Sequence, residues 1–169
     1  MIVAIDFDGT IHTGEYPAIG QPATDAVKYI QRIKQDGHTI IIWSSRNGVP
    51  YREMVSWLDR YGIPYDTINQ SAPENLRQYG LDTRKVYADI YIDDHNLGGL
   101  PPWEKIYQMI RNEQLAKTMM DTLCRQMEKA SDEYLMEKAR ESVNPSWNEK
   151  EQRIYLEGFR HCLEIINKN

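Results

Sequence analysis

Apolar and polar positions follow two different rhythms along this chain. Residues 2–7, IVAIDF, open with an unbroken apolar run, as in a strand buried on both faces. Residues 23–35 follow Pro22 and carry Ala26, Val27, Ile30 and Ile33 at helical spacing, with Gly37 as the stop. Residues 38–43, HTIIIW, make a second β-branched run. Residues 50–61 predict a helix with Val55, Leu58 and Tyr61 on one face, closed by Gly62. A short strand is expected at 65–68, a short helix at 73–79 ended by Gly80, a strand at 86–92, and a helix over 103–111 after Pro101 and Pro102. Strands alternating with helices predict an α/β fold, a parallel sheet with helices on both faces.

From residue 112 onward no strand signal remains. Leu115, Met119, Leu123 and Met127 make one helical stripe, read as a packing face. Ser131 reads as the cap of a second helix and Asn144-Pro145 as a break. Ser146-Trp147-Asn148-Glu149 has capping-box spacing for a third helix, with Tyr155, Phe159, Cys162, Leu163 and Ile166 on one face. The pattern divides the chain into an α/β domain, 1–111, and an all-α extension, 112–169. The extension is expected to pack on the domain, to shade its site as a lid, or to join a second copy in a homo-oligomer.

Composition narrows the function classes. The 169 residues are 41% hydrophobic and 27% charged, with a formal net charge of -5. No global basic field exists to hold nucleic acid. No apolar run approaches the roughly 20 residues that span a bilayer. The N-terminus enters a strand without a basic n-region or cleavage site, so no signal peptide is expected. Cys124 and Cys162 fit a reduced, cytoplasmic setting and are expected as core residues on facing helices.

The candidate chemistry lies at strand ends. Asp6 and Asp8 stand at i and i+2 and face the same way if the strand continues. Gly9 permits a tight turn beside them. A second acidic pair, Asp93-Asp94, closes the apolar run Ile90-Tyr91-Ile92. Open α/β sheets hold ligands at this carboxyl edge. Two carboxylates about 4 Å apart repel by roughly 4 kcal/mol at an effective dielectric of 20, so a cluster needs a proton or a cation. Hard oxygen ligands with room for water and phosphate suit Mg²⁺. A third strand end, Ser44-Ser45-Arg46, offers a hydroxyl and backbone N–H groups to a phosphoryl oxygen; it also reads as a plain turn or cap.

Taken together, these residues resemble the haloacid dehalogenase (HAD) superfamily of phosphohydrolases. Asp6-Phe7-Asp8-Gly9-Thr10 matches its first motif, DxDGT; Ser44 matches the second; Asp93-Asp94 match the fourth. DDHNLGGLPPW, residues 93–103, is similar to small bacterial members of that superfamily. The resemblance covers residues 1–111 and implies a Rossmann-like fold. It implies Asp6 as nucleophile, forming an aspartyl-phosphate, and Asp8 as general acid and then base, with its pKa raised by neighbouring carboxylates. It implies Mg²⁺ on Asp6, the Asp8 backbone carbonyl, Asp93 and Asp94. Gly9, Thr10, Ser44, Ser45 and Arg46 would bind the phosphoryl group. Lys85 matches the third-motif lysine by position alone, with Arg84 and Arg77 as alternatives.

Neither interval between motifs has room for a cap domain, as in capless members. A flap over 14–20, with His12 and Tyr16, borders the pocket, and His12 is expected as an exposed loop residue. Trp43, Trp57 and Tyr51 are expected in the core rather than stacked on a base. The implied substrate is a phosphorylated small molecule or nucleotide, with a nucleic-acid end open but not indicated by charge. A phosphotransferase and a non-catalytic phosphate-binding or scaffold protein stand as alternatives. A phosphate-receiver domain fits less well, because there the acidic pair comes first and here it comes last.

Overall fold

The structure is a computed structural model. It describes every residue except Leu81 and 167–169, and no side chain from 164 onward. Its elements are β1 (Ile2–Ile5), α1 (Ala26–Gln35), β2 (Thr39–Ile42), α2 (Gly48–Arg60), β3 (Thr67–Ile68), α3 (Pro73–Tyr79), β4 (Ile90–Ile92), α4 (Trp103–Glu141) and α5 (Glu149–Ile166). Four parallel strands form one sheet in the order β3-β2-β1-β4. This is the expected α/β, Rossmann-like architecture with a helical extension.

Side-chain alternation feeds both faces of the sheet. Val3, Ile5, Ile40 and Ile42 join a large core with Ile30 and Ile33 of α1, Met54 and Leu58 of α2, and Trp103, Ile106 and Ile110 of α4. Ile2, Ala4 and Ile41 join a smaller core on the other face, with Ala72, Val86 and Ala88. Burial on both faces explains the unbroken apolar runs. The last strand is shorter than 86–92. Upstream of it the Tyr91 hydroxyl donates to Val86 O at 2.6 Å and accepts the Ala88 N–H at 3.2 Å, so that stretch folds back on Tyr91 instead of extending.

The chain forms two compact units, Met1–Gln114 and Leu115–Asn169. Three expectations for the second fail. Ser131 caps nothing, because α4 runs 39 residues through it; good helix formers surround Ser131 and no Gly or Pro interrupts them. The α5 cap lies two residues later than expected. Asn148 Oδ1 accepts the Lys150 and Glu151 N–H groups at 3.0 and 3.1 Å, and Glu151 Oε2 accepts the Asn148 N–H at 2.9 Å, a reciprocal capping box. Cys124 and Cys162 are exposed, not core. The stripe of Leu115, Met119, Leu123 and Met127 is also exposed within one copy of the chain, which leaves its reading as a packing face open to a second copy. On α5, the Ile166 side chain lies outside the described residues. No helix among the described residues is long and apolar enough to cross a membrane.

Candidate active site

Parallel register puts four strand ends at one level. Ile5 lies beside Ile42 and Ile92, and Ile42 beside Ile68. The residues that follow, Asp93, Asp6, Trp43 and Asn69, form a row along the carboxyl edge. The ladder extends one step into that row: the N–H groups of Asp6, Trp43 and Asn69 donate to Ile92, Ile5 and Ile42 carbonyls at 2.9, 2.8 and 2.9 Å. Asp6 and Asp93 thereby become neighbours across the β1–β4 pair.

Asp6 is half-buried, and burial pushes its carboxyl from 3.8 up to about 7. The Asp93 and Asp94 carboxylates add to the rise, and the Phe7 N–H and the Thr10 hydroxyl oppose it. The chain reverses just past Phe7, whose carbonyl accepts the Ile11 N–H at 3.1 Å. Buried Thr10 ties this loop to the acidic pair: its Oγ1 accepts the Asp94 N–H at 3.0 Å. A Cβ on Gly9 would lie 2.5 Å from Asp94 Oδ2, and its φ is +77°. The positive φ favours glycine there, and any Cβ would have to push the Asp94 carboxylate aside.

Asp8 reverses its expectation. Arg46 Nη2 and Nε donate to Asp8 Oδ1 at 2.7 and 3.1 Å, and Nε also to Oδ2 at 2.9 Å. Burial alone raises this carboxyl, but hydrogen bonds from Arg46 and His12 and the Arg46 charge outweigh it and hold it below its usual range. The neighbouring acids tune Asp6 instead. Arg46 is itself buried, with Phe7 and Tyr16 rings 5.3 and 5.2 Å from its guanidinium, and it donates to the Pro17 and Ala18 carbonyls at 3.0 and 3.2 Å. Its guanidinium therefore joins Asp8 to the flap.

His12 is fully buried, not an exposed loop residue. Its Nδ1 accepts the Gly14 and Gly20 N–H groups at 2.9 and 3.3 Å, which places the ring proton on Nε2, 3.0 Å from Asp8 Oδ1. The two glycines pinch the neck of the flap. A Cβ on either would run into the backbone N of the other. Trp57 is core as expected; its Nε1 donates to Gly20 O at 3.1 Å, and it meets Phe7 edge-on at 5.3 Å. Only the glycines at 9, 14 and 20 hinted at this network in the sequence; its geometry is non-local.

Ser44 is buried two residues past β2. Asn69, which sequence reasoning missed, clamps it from the end of β3: Oδ1 accepts the Ser44 N–H at 2.8 Å and Nδ2 donates to the Ser44 carbonyl at 2.7 Å. Ser44 Oγ accepts the Arg46 N–H at 3.2 Å, leaving its own proton to donate. Ser45 is exposed. Lys85 is exposed ahead of β4, its Nζ 5.4 Å from the Tyr91 ring, and among the described residues no ion pair joins it to a site carboxylate. Arg77 and Arg84 are exposed as well.

Asp6, Asp93 and Asp94 present oxygen donors with little neutralisation. Asp93 Oδ1 accepts the His95 N–H at 2.8 Å, and His95 Nδ1 lies 3.0 Å from Asp94 Oδ1. One ligand atom from each of Asp93, Asp94 and His95 lies within 4.8 Å of the others. Three carboxylates, with Asp6 raised first by burial and then by the charges of Asp93 and Asp94, fit a hard divalent cation better than a soft one.

No protein-family model matches the chain, and no curated protein matches it. A solved structure does. The chain is similar to a conserved protein from Bacteroides thetaiotaomicron, with 39% identity and a TM-score of 0.61 over 67% of this chain and 91% of that protein. By that identity and span, the chain belongs to the same family as this conserved Bacteroides protein.

Proposed function

We propose that the chain is a Mg²⁺-dependent phosphomonoester hydrolase of the HAD type. The observation that carries this reading is the convergence of Asp6, Asp93 and Asp94 at the carboxyl edge, tied together by Thr10 and Gly9. An Asp6 oxygen would attack phosphorus in line with the departing oxygen and form an aspartyl-phosphate. Ser44, held by Asn69, would donate its hydroxyl proton to a phosphoryl oxygen. Asp6, the Asp8 backbone carbonyl, Asp93 and Asp94 would hold Mg²⁺, which neutralises charge on the carboxylates and the phosphoryl group.

Asp8 suits the second half-reaction best. Arg46 and His12 orient its carboxylate and keep it deprotonated, ready to take a proton from the water that attacks the aspartyl-phosphate. Donation to the leaving oxygen requires Asp8 to leave Arg46 and gain a proton. Esters that depart as stable phenolates escape that demand; alkyl phosphates do not.

The test is hydrolysis of para-nitrophenyl phosphate by wild type and Asp6→Asn, with and without Mg²⁺. Metal-dependent turnover lost in Asp6→Asn supports the reading. Metal-independent turnover, or turnover unchanged by the substitution, overturns it. The Arg46 lock on Asp8 is the one observation that favours a non-catalytic phosphate-binding protein. Phosphate binding with no turnover of any phosphate ester would select it.

A further inference from the structure

The proposed chemistry uses nothing beyond the first unit, yet α4 runs well past it. Between Leu115 and Tyr134 one face of α4 carries Leu115, Met119, Met120, Leu123, Met127 and Tyr134, six large apolar side chains each more than half exposed. Ala116, Gln126 and Ala130 complete that face, and its one charge over this stretch, Glu133, stands at the rim in line with Leu115. At 100° per residue these positions share about 140° of arc. The opposite side already has a neighbour: Ala139 is buried, and Arg160 of α5 lines a cleft with Lys129, Asp132 and Met136. The exposed face amounts to roughly 600 Å² of apolar surface, the upper end of what a monomer leaves bare.

Within it runs a 4-3-4-3 spacing: Ala116, Met120, Leu123, Met127, Ala130, Tyr134. The sizes are as informative as the spacing. Laid antiparallel on a copy of itself about residue 125, the series sets Ala116 against Tyr134, Met120 against Ala130, and Leu123 against Met127. The outer layers then pair a small residue with a large one, and the central layers pair leucine with methionine. Laid parallel, the layers become alanine on alanine and tyrosine on tyrosine, alternating voids with crowding.

We propose that the chain forms a two-fold homodimer through this face of α4, with the two helices antiparallel. Two copies together cover roughly 1,200 Å², above the floor of about 1,000 Å² for a specific interface. The isologous contact uses the same surface on both partners and closes on itself. Cys124 lies at the seam's edge near the two-fold, so in this dimer it faces the partner copy's own equivalent cysteine. In a parallel pair the two would lie on opposite sides.

The experiment uses the full chain with Cys162→Ser, studied by analytical ultracentrifugation and by a short bismaleimide. The expected result is twice the chain mass in solution and a covalent dimer through Cys124. Leu123→Glu is expected to weaken association at least tenfold while leaving far-UV circular dichroism unchanged. A variant Ala116→Cys, in a background lacking both native cysteines, is expected not to cross-link to itself, since the paired positions are about 27 Å apart along the axis. A monomer at high micromolar concentration, a dimer indifferent to Leu123→Glu, or a self-cross-link at position 116 would overturn the proposal. The cross-link through native Cys124 needs no seam substitution, so misfolding of a variant cannot decide the matter.

Discussion

Asp6→Asn should do two opposite things at once. In the proposed reaction Asp6 is the nucleophile, so the substitution should abolish turnover. As a half-buried carboxylate beside Asp93 and Asp94, it should also cost stability when no metal is present. The folded state holds the Asp6 proton up to about pH 7, and the ordinary value is 3.8. Between those limits the folded chain binds more protons than the unfolded one, so stability falls as pH rises and the loss is complete above pH 7. At about 1.4 kcal/mol per tenfold change in proton affinity the full penalty is at most ~4 kcal/mol. Solvent reaches part of the carboxyl, and screening brings it to ~2 kcal/mol. Asparagine keeps the shape, accepts the Phe7 N–H, and carries no charge. In chelator near pH 8, Asp6→Asn should therefore raise the urea midpoint by about 1 M. Tryptophan fluorescence reads the right unit, since Trp43, Trp57 and Trp103 lie within Met1–Gln114. The gain should shrink toward zero near pH 4 and be erased by Mg²⁺, which stabilises wild type more than the variant. A variant no more stable than wild type in chelator near pH 8 would refute the electrostatic reasoning.

Four further outcomes can be checked. Arg46→Met should cost about 2–3 kcal/mol, below the 3–5 of a fully buried pair because Asp8 is 30% exposed, as measured by urea unfolding. The wild-type Asp8 contribution is present above the ordinary carboxylate range and is lost as pH falls through its lowered value, so the same variant should show a shallower acid limb. Gly9→Ala should cost about 1–2 kcal/mol in backbone strain and push Asp94 aside, cutting Mg²⁺-dependent turnover about 100-fold in steady-state assays. His38 is buried with both ring nitrogens unpartnered; burial first, then the N-terminal ammonium, lowers its pKa below 6.5, so stability falls as pH drops below that value. His38→Leu should flatten that loss in urea titrations at mildly acidic pH.

Local pattern carried much of the fold. Apolar runs located the strands because both faces of the sheet are buried, and glycines marked the helix ends. DxDGT and Asp93-Asp94 were legible because strand ends and turns are local events. Arg46 illustrates what was not. Its guanidinium could have met a phosphate, solvent or any acid; that it meets Asp8 and the flap carbonyls depends on how α2 and the flap fold over β1. His12 reads as a loop residue until the Gly14–Gly20 neck closes over it. Asn69 carries no motif at all, and reaches Ser44 because β3 ends level with β2.

By itself, then, the sequence determined the strands and helices and the acidic residues that stand at their ends, since hydrophobic period and turn composition act over a few residues. The tertiary structure decided who meets whom. The order β3-β2-β1-β4 alone makes Asp6 and Asp93 neighbours, and burial there raises one aspartate while an arginine from another strand end lowers the next. A carboxylate's pKa is set by solvent access and by charges a few ångströms away. Those distances are fixed by packing between segments far apart in the chain, which no local pattern encodes.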